Sequence, residues 1–214
     1  MMETVIIDYG SGNLHSALKS FQKVANLSKK GNVKVTSDPK QIKYADKLVL
    51  PGVGSFNDCL KGLKANKELY YNLTERVLKE GVPFLGICVG LQLLADYGHE
   101  NVINTPGLGW LGGEVKKICP QNKDTKIPHM GWNSLIFDKE HPLTKKLTSE
   151  NDMYFVHSYH FDLNDINDRL AYVKYSGDLT AIVAKNNICG TQFHPEKSQN
   201  SGQILIENFM NWCP

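Results

Sequence analysis

The sequence has no excess of charge of either sign. Its 214 residues carry 24 Lys and Arg against 22 Asp and Glu, which leaves a formal net charge of +2. Binding to a nucleic-acid backbone or an anionic membrane needs a basic excess, so the composition supports neither partner. Hydrophobic residues make up 41% of the chain, close to the globular average, which excludes the disordered and fibrous classes.

Long apolar runs are also missing. The longest, at 48–53 and 82–94, contain Pro and Gly and are shorter than the roughly 18 residues that a membrane-spanning helix needs. The start of the chain contains Glu3 and only a short apolar run, unlike a secretory signal. We therefore expect a cytoplasmic protein that does not bind membranes.

Cysteines are few and irregularly spaced. They are Cys59, Cys88, Cys119, Cys189 and Cys213. An odd number without Cys-x-x-Cys spacing argues against a disulfide framework and against a zinc site. We expect each to be a buried thiol unless its neighbours indicate otherwise, and we expect no metal or other cofactor.

Hydrophobic periodicity predicts strands that alternate with helices over the first hundred residues. The predicted strands are 4–8, 33–36, 47–50 and 82–87, and the predicted helices are 14–24, 69–78 and 89–97. Such alternation is typical of a parallel sheet covered on both faces.

The second half of the sequence predicts shorter strands and one last helix. The strands are 114–118, 132–137, 153–159, 171–175, 180–185 and 188–194, with a hairpin turn at 186–187 and the helix over 204–212. These favour a mixed or antiparallel extension of the sheet. No linker or repeat interrupts the chain, so we expect residues 1–214 to form one domain of open α/β architecture.

One cysteine lies in a glycine-flanked turn. Residues 86–90 read Gly-Ile-Cys-Val-Gly, between an apolar strand and a predicted helix. This is the pattern of a nucleophile elbow, which raises the side chain at the carboxyl end of the sheet and places a helix N-terminus behind it. The helix terminus favours the thiolate of Cys88, and the next backbone amide can face a developing oxyanion. In isolation the pattern is more often a buried cysteine with glycines for close packing.

A histidine and a glutamate close the last predicted strand. His194 and Glu196 flank Pro195, which ends the hydrogen-bond ladder and presents the pair at a sheet edge. An imidazole there can act as a base that the carboxylate orients. Alone, the segment is more often a strand end with a solvated glutamate.

Two glycine loops follow earlier strands. Residues 51–54 read Pro-Gly-Val-Gly, and such a loop can turn a peptide plane toward a ligand and donate a second oxyanion hydrogen bond, although alone it is commonly a plain turn. Residues 10–12 read Gly-Ser-Gly, but they lack the third glycine and the lysine of phosphate-binding loops. We therefore reject a nucleotide site there.

The elbow cysteine, the His-Pro-Glu segment and the glycine loop together resemble the class I glutamine amidotransferases, the Cys-His-Glu glutaminase family, over essentially the whole chain. Within that family, residues 8–14, 129–133 and 154–159 resemble the glutaminase subunits of imidazole glycerol phosphate synthases. The resemblance implies an open three-layer, flavodoxin-like fold with a mostly parallel central sheet and additional antiparallel strands.

The resemblance also implies roles for individual residues. Cys88 matches the nucleophile, His194 the general base and then acid, and Glu196 the residue that orients His194. Further matches are the oxyanion-hole residues Val53 and Val89, the glutamine-binding residues Gly54, Gln92, Ser158 and Tyr159, and the partner-interface residues Asn13, Met130, Trp132 and Tyr154. Val89 departs from the family, which more often has Leu there, but its backbone amide is the relevant group.

The implied reaction is hydrolysis of glutamine to glutamate and ammonia. The implied partner is a (β/α)8-barrel cyclase subunit in a heterodimer, which uses the ammonia to make imidazole glycerol phosphate and an aminoimidazole carboxamide ribotide for histidine biosynthesis. Two alternatives stay open: a paralogous glutaminase that supplies an amidating synthetase of surface-polysaccharide synthesis, and a non-catalytic or redox-sensing α/β module. The last has no need of His194 and Glu196.

Overall fold

The computed structural model describes residues 2–100, 103–123 and 125–214. In chain order its elements are β1 (Glu3–Ile7), α1 (Leu14–Ser28), β2 (Asn32–Thr36), α2 (Pro39–Lys43), β3 (Lys47–Gly52), α3 (Phe56–Ala65), α4 (Lys67–Thr74), β4 (Phe84–Cys88), α5 (Val89–Gln92), β5 (Tyr97–Glu100), β6 (Ile103–Pro106), β7 (Gly113–Lys117), β8 (His129–Ser134), β9 (Ile136–Phe137), β10 (Asp152–His157), β11 (Tyr159–Leu163), β12 (Arg169–Lys174), β13 (Asp178–Lys185), β14 (Ile188–Thr191) and α6 (Gln199–Asn211). A π-helical turn extends α4, and short 3₁₀ turns lie at Pro142–Thr144, Ile166–Asp168 and Pro195–Lys197.

The largest sheet has eight strands in the order β2-β1-β3-β4-β14-β13-β12-β9. The pairs from β2 to β14 are parallel, and the pairs from β14 to β9 are antiparallel. This confirms the predicted α/β fold with a mostly parallel central sheet and added antiparallel strands. All residues of β3 and β4 are buried, as expected for central strands covered on both faces.

The connections place the helices in two layers. The chain moves toward one edge of the sheet from β1 to β2, and toward the other edge from β2 to β3 and from β3 to β4. Because such crossovers are right-handed, α1 lies on one face of the sheet and α2, α3 and α4 lie on the other. Helix α6 packs on α1, where Phe21 and Phe209 meet edge to face at 6.5 Å. No helix of the residues described is long and apolar enough to cross a membrane.

Two smaller sheets lie outside the main one. Strands β11, β7, β5 and β6 form a four-stranded sheet in that order, and β8 pairs antiparallel with β10. The β8–β10 pair alternates strictly in burial: Met130 and Trp132 are exposed, whereas His129, Phe155 and His157 are buried. The pair therefore has an inner face against the core and an outer face toward solvent.

Several boundaries differ from the predictions. The predicted helix over 89–97 is wrong: α5 ends at Gln92, tight turns follow, and Tyr97 begins β5. Helix α3 was not predicted, although Ser55 caps it by accepting from the Asp58 N–H at 3.1 Å. The hairpin at 186–187 is confirmed, with Asn186 at φ 52°.

Candidate active site

Cys88 is the last residue of β4 and sits at φ 55° and ψ −111°. This combination of φ and ψ lies outside the regions that residues with a Cβ ordinarily adopt, and such strain persists only where the surroundings enforce it. The chain therefore bends sharply at Cys88 before α5 begins, as the elbow pattern predicts.

The flanking glycines make this bend possible. A Cβ on Gly90 would lie 1.8 Å from the Leu50 carbonyl oxygen, and one on Gly86 would lie 2.5 Å from the Gly90 carbonyl oxygen. Neither position has room for a side chain, so α5 packs directly on β3 and β4. Because α5 has only four residues, few peptide dipoles align behind Cys88, and the nearby amides matter more than a helix dipole.

His194 and Glu196 lie beside this elbow. Strand β14 pairs in parallel with β4, with Thr191 opposite Ile87, so the segments after the two strands meet at the same end of the sheet. The prediction of a strand reaching His194 at a sheet edge is wrong: β14 is an interior strand that ends at Thr191, and His194 precedes a 3₁₀ turn.

Of the two ring nitrogens of His194, only Nδ1 has a hydrogen-bond partner among the described residues. Its Nδ1 lies 2.8 Å from Glu196 Oε1, and both side chains are 3% exposed. Among the described residues its Nε2 has no hydrogen-bond partner. Burial lowers the pKa of His194, but Cys88 and Glu196 together outweigh burial and raise this pKa to about 10. His194 therefore has one ring nitrogen left for chemistry.

A cavity of about 360 Å³ opens beside Cys88 and His194. This volume suits a small metabolite. Every residue predicted for the oxyanion hole or for glutamine binding lines it: Val53, Val89, Gly54, Gln92, Ser158 and Tyr159. Glu196 stands behind His194, away from the lining. Thus residues that lie far apart in the sequence converge on one site.

Gln192 and Glu100 are two polar residues around the cavity that were not predicted. Gln192 is fully buried, with its Nε2 3.8 Å from Cys88 Sγ and its Oε1 accepting from Gln92 Nε2 at 3.0 Å. Glu100 lines the cavity and accepts from the Phe56 N–H at 2.6 Å. Gln192 lies two residues before His194, whereas Glu100 follows the region wrongly predicted as a helix and carries no sequence signal.

The Val53 backbone amide is engaged elsewhere. Its N–H donates to Ser11 Oγ at 3.3 Å, while Ser11 Oγ donates to the Val53 carbonyl oxygen at 2.7 Å. Cys59 Sγ also donates to that carbonyl at 3.3 Å, and Tyr9 donates to the Pro51 carbonyl oxygen at 2.8 Å. In this conformation the loop over 51–54 is tied to the loop after β1.

The predicted interface residues fall in two places. Met130 and Trp132 are 61% and 48% exposed on the outer face of β8, and Tyr154 contacts Trp132 edge to face at 5.8 Å. Asn13 instead precedes α1, where its side chain accepts from the Ser16 N–H. On the outer face of β8 and β10, Met130, Trp132 and Tyr154 thus form an exposed apolar patch.

The other thiols lack this environment. Cys59 and Cys189 are buried, and burial raises the pKa of both. Cys119 and Cys213 are exposed, so the expectation that they are buried is wrong. Within the described parts of the chain, no group of three or more His, Cys, Asp or Glu side chains could hold a metal ion.

Comparison with known proteins agrees with this geometry. The model of the family "Glutamine amidotransferase class-I" matches residues 5–212. The chain is 50% identical over 213 residues to imidazole glycerol phosphate synthase subunit HisH of Ruegeria pomeroyi, and 52% identical over 217 residues to the protein of that name in Bradyrhizobium diazoefficiens, with 100% of each chain covered in both comparisons. A glutamine amidotransferase structure from Thermotoga maritima shares the fold, with a TM-score of 0.63 at 19% identity over 91% of this chain and 76% of that one. The chain thus belongs to the class-I glutamine amidotransferase family, as its motifs predicted.

Proposed function

We propose that this protein is the glutaminase subunit of an imidazole glycerol phosphate synthase. It hydrolyses glutamine to glutamate and ammonia, and a cyclase subunit uses the ammonia to make imidazole glycerol phosphate and aminoimidazole carboxamide ribotide. The full-length relatives named HisH support the assignment. The observation that carries the chemistry is the buried His194–Glu196 pair beside the strained Cys88 elbow.

In this proposal Cys88 attacks the side-chain carbonyl carbon of glutamine. His194 takes the thiol proton and delivers it from Nε2 to the departing nitrogen, which leaves as ammonia while Cys88 retains the γ-glutamyl group as a thioester. Water, deprotonated by His194, then cleaves the thioester and releases glutamate. The single free nitrogen of His194 suits both proton transfers.

The cavity provides groups for the rest of the substrate. The Gln92 Nε2 hydrogens donate to the Tyr159 carbonyl and to Gln192 Oε1, which leaves Gln92 Oε1 to accept from a ligand. The Glu100 carboxylate suits the α-ammonium group of glutamine, because no other Asp or Glu among the described residues lines the cavity. We assign Gly54, Ser158 and Tyr159 to glutamine binding as well.

Glu196 orients the base, so its replacement should cost less than loss of the base itself. We expect Glu196→Gln to retain roughly 10² times more glutaminase activity than His194→Ala, because an imidazole still faces Cys88 in the first variant. Steady-state glutamate release by each complex measures the difference. A larger loss in Glu196→Gln would require the two roles to be redrawn.

The ammonia needs a protected route. In neutral water free ammonia is almost entirely ammonium, which is not nucleophilic, so the product must pass directly to the acceptor site. We propose that the (β/α)8-barrel cyclase subunit covers the outer face of β8 and β10, where Met130, Trp132 and Tyr154 lie, with Asn13 contacting it separately. The two subunits form a heterodimer in the cytoplasm, and residues 1–214 act as one glutaminase domain.

An electrophilic glutamine analogue tests the chemistry. A diazo-ketone analogue should label Cys88 and spare the other four cysteines, because only Cys88 lines the cavity beside His194. Peptide mass mapping identifies the labelled thiol, and excess glutamine should prevent the reaction. A reagent that reacted by exposure alone would label Cys119 and Cys213 first, and that pattern would contradict the proposal.

A further inference from the structure

Two buried histidines next to the cavity have no part in the proposed reaction. His129 and His157 face each other across β8 and β10, with His129 Nδ1 2.9 Å from His157 Nε2. Asn133 Nδ2 lies 3.2 Å from His129 Nε2, and His157 Nδ1 lies 2.9 Å from the Tyr159 carbonyl oxygen. These contacts form one chain of hydrogen bonds, the relay, which runs from Asn133 through His129 and His157 to the Tyr159 carbonyl.

The direction of each hydrogen bond in the relay is determined by its ends. A carbonyl oxygen only accepts, so His157 Nδ1 carries a hydrogen and its Nε2 accepts from His129 Nδ1–H. His129 Nε2 then accepts from the Asn133 amide. Burial lowers the pKa of His129 to about 4 and that of His157 to about 3, so both rings are neutral near pH 7. Every nitrogen of the two rings is satisfied in this single arrangement.

The relay ends at the wall of the glutamine cavity. The Tyr159 carbonyl oxygen accepts from His157 on one side and from Gln92 Nε2 at 2.9 Å on the other. The cavity is lined by three successive residues of this segment, His157, Ser158 and Tyr159. Two buried donors thus fix the peptide segment that faces the substrate.

Packing restrains the first ring of the relay. His129 stacks between Tyr175, with centroids 4.0 Å apart, and Phe155, at 4.8 Å. A ring clamped in this way keeps its Nδ1–H directed at His157 and limits rotation of the second imidazole. The opposite face of the same strands carries Met130 and Trp132, so the relay lies directly beneath the exposed apolar patch.

We propose that His129 and His157 are positioning residues for glutamine, which hold the Ser158–Tyr159 backbone in its substrate-binding orientation. The inference rests on the proposed function and assigns it two residues that do not touch the reacting atoms. Loss of the relay weakens binding of glutamine equally in the ground state and in the transition state. KM therefore rises and kcat is unchanged.

Two variants separate the hydrogen bond from the packing. His129→Phe keeps a ring between Tyr175 and Phe155 but has no donor for His157. His129→Asn loses the stacking but can donate from Nδ2 near the original Nδ1 position. The readout is glutamine protection of Cys88 from alkylation by iodoacetamide, followed by mass mapping, which needs no partner subunit.

We expect the glutamine concentration for half-protection to rise about fivefold in His129→Phe, as for the loss of a neutral hydrogen bond, and to stay within twofold in His129→Asn. In the complex, KM should rise similarly while kcat stays within twofold. Weaker protection in His129→Asn with normal protection in His129→Phe would show that packing alone matters and would overturn the inference.

The design separates the two proposals. If glutamine fails to protect Cys88 in the unmodified protein, the proposed function itself fails. If it protects the unmodified protein and His129→Phe equally, only the positioning role fails. Should His129→Phe not fold, as thermal unfolding would show, Asn133→Ala removes the donor at the outer end of the relay. It is expected to raise the half-protection concentration about threefold, and a value within twofold of the unmodified protein overturns the inference.

Discussion

Replacing Cys88 with Ala should abolish glutamine-dependent synthesis by the complex while leaving synthesis from added ammonium salts largely intact. Cys88 is the thiol that lines the cavity with His194, and no other described cysteine does so. Loss of a nucleophile that works with a base and an orienting group costs at least about 10⁴ in turnover. The acceptor reaction occurs in the partner, so ammonia supplied from solution bypasses the missing step.

The measurement is product formation by the reconstituted complex with each nitrogen source. Cys119→Ala is the matched control, because Cys119 is exposed and outside the cavity, and it should leave both activities unchanged. Equal loss with glutamine and with ammonium salts in Cys88→Ala would contradict the assignment of Cys88 to ammonia production.

The strand and helix predictions succeeded where short apolar runs are bounded by Gly and Pro, or where buried residues recur at helical spacing. β3 and β4 are short apolar runs bounded by Gly and Pro, and α1 buries Ala17 and Phe21 at helical spacing. Periodicity wrongly extends the helix that follows Cys88, because Leu93 and Leu94 are buried although α5 ends at Gln92. A fully buried segment has no polar face, so its period does not identify its structure.

The candidate site was predicted where its residues form local motifs, and missed where contacts alone define it. Cys88, His194 and Glu196 stand in short patterns with a chemical reason, and the fold brings them together through adjacent strands. Gln192 and Glu100 entered the site only through contacts with residues distant in the sequence. No local pattern of residue types carries that information.

The isolated protein should show little glutaminase activity, and the cyclase subunit with its ligand bound should raise that activity by about 10² to 10³, the usual effect of one oxyanion donor. The Val53 N–H, proposed as that donor, is bound to Ser11 Oγ in this structure. An isolated glutaminase with a complete oxyanion hole would consume glutamine without using the ammonia, so an inactive resting state is advantageous.

The loop is built to rotate at one peptide. Tyr9 holds the Pro51 carbonyl, so the Gly52–Val53 peptide is the unit left to turn, and Gly54 at φ 101° accepts a conformation that other residues rarely adopt. Rotation of this peptide would break the hydrogen bond from the Val53 N–H to Ser11 Oγ and direct the N–H toward the cavity, which Val53 and Gly54 line. The partner would favour the rotated state by binding it more tightly.

Ser11→Ala tests this arrangement in the protein alone. Removing the acceptor of the Val53 N–H should raise the basal rate of glutamate release by about fivefold to tenfold, as expected for loss of one hydrogen bond from the resting state. Activation by the ligand-bound cyclase should fall by the same factor, since part of the shift has already occurred. Ser20→Ala on α1 is the matched control and should leave both rates unchanged. Full activity of the isolated unmodified protein would refute the switch, and an unchanged basal rate in Ser11→Ala would show that Ser11 does not hold the resting state.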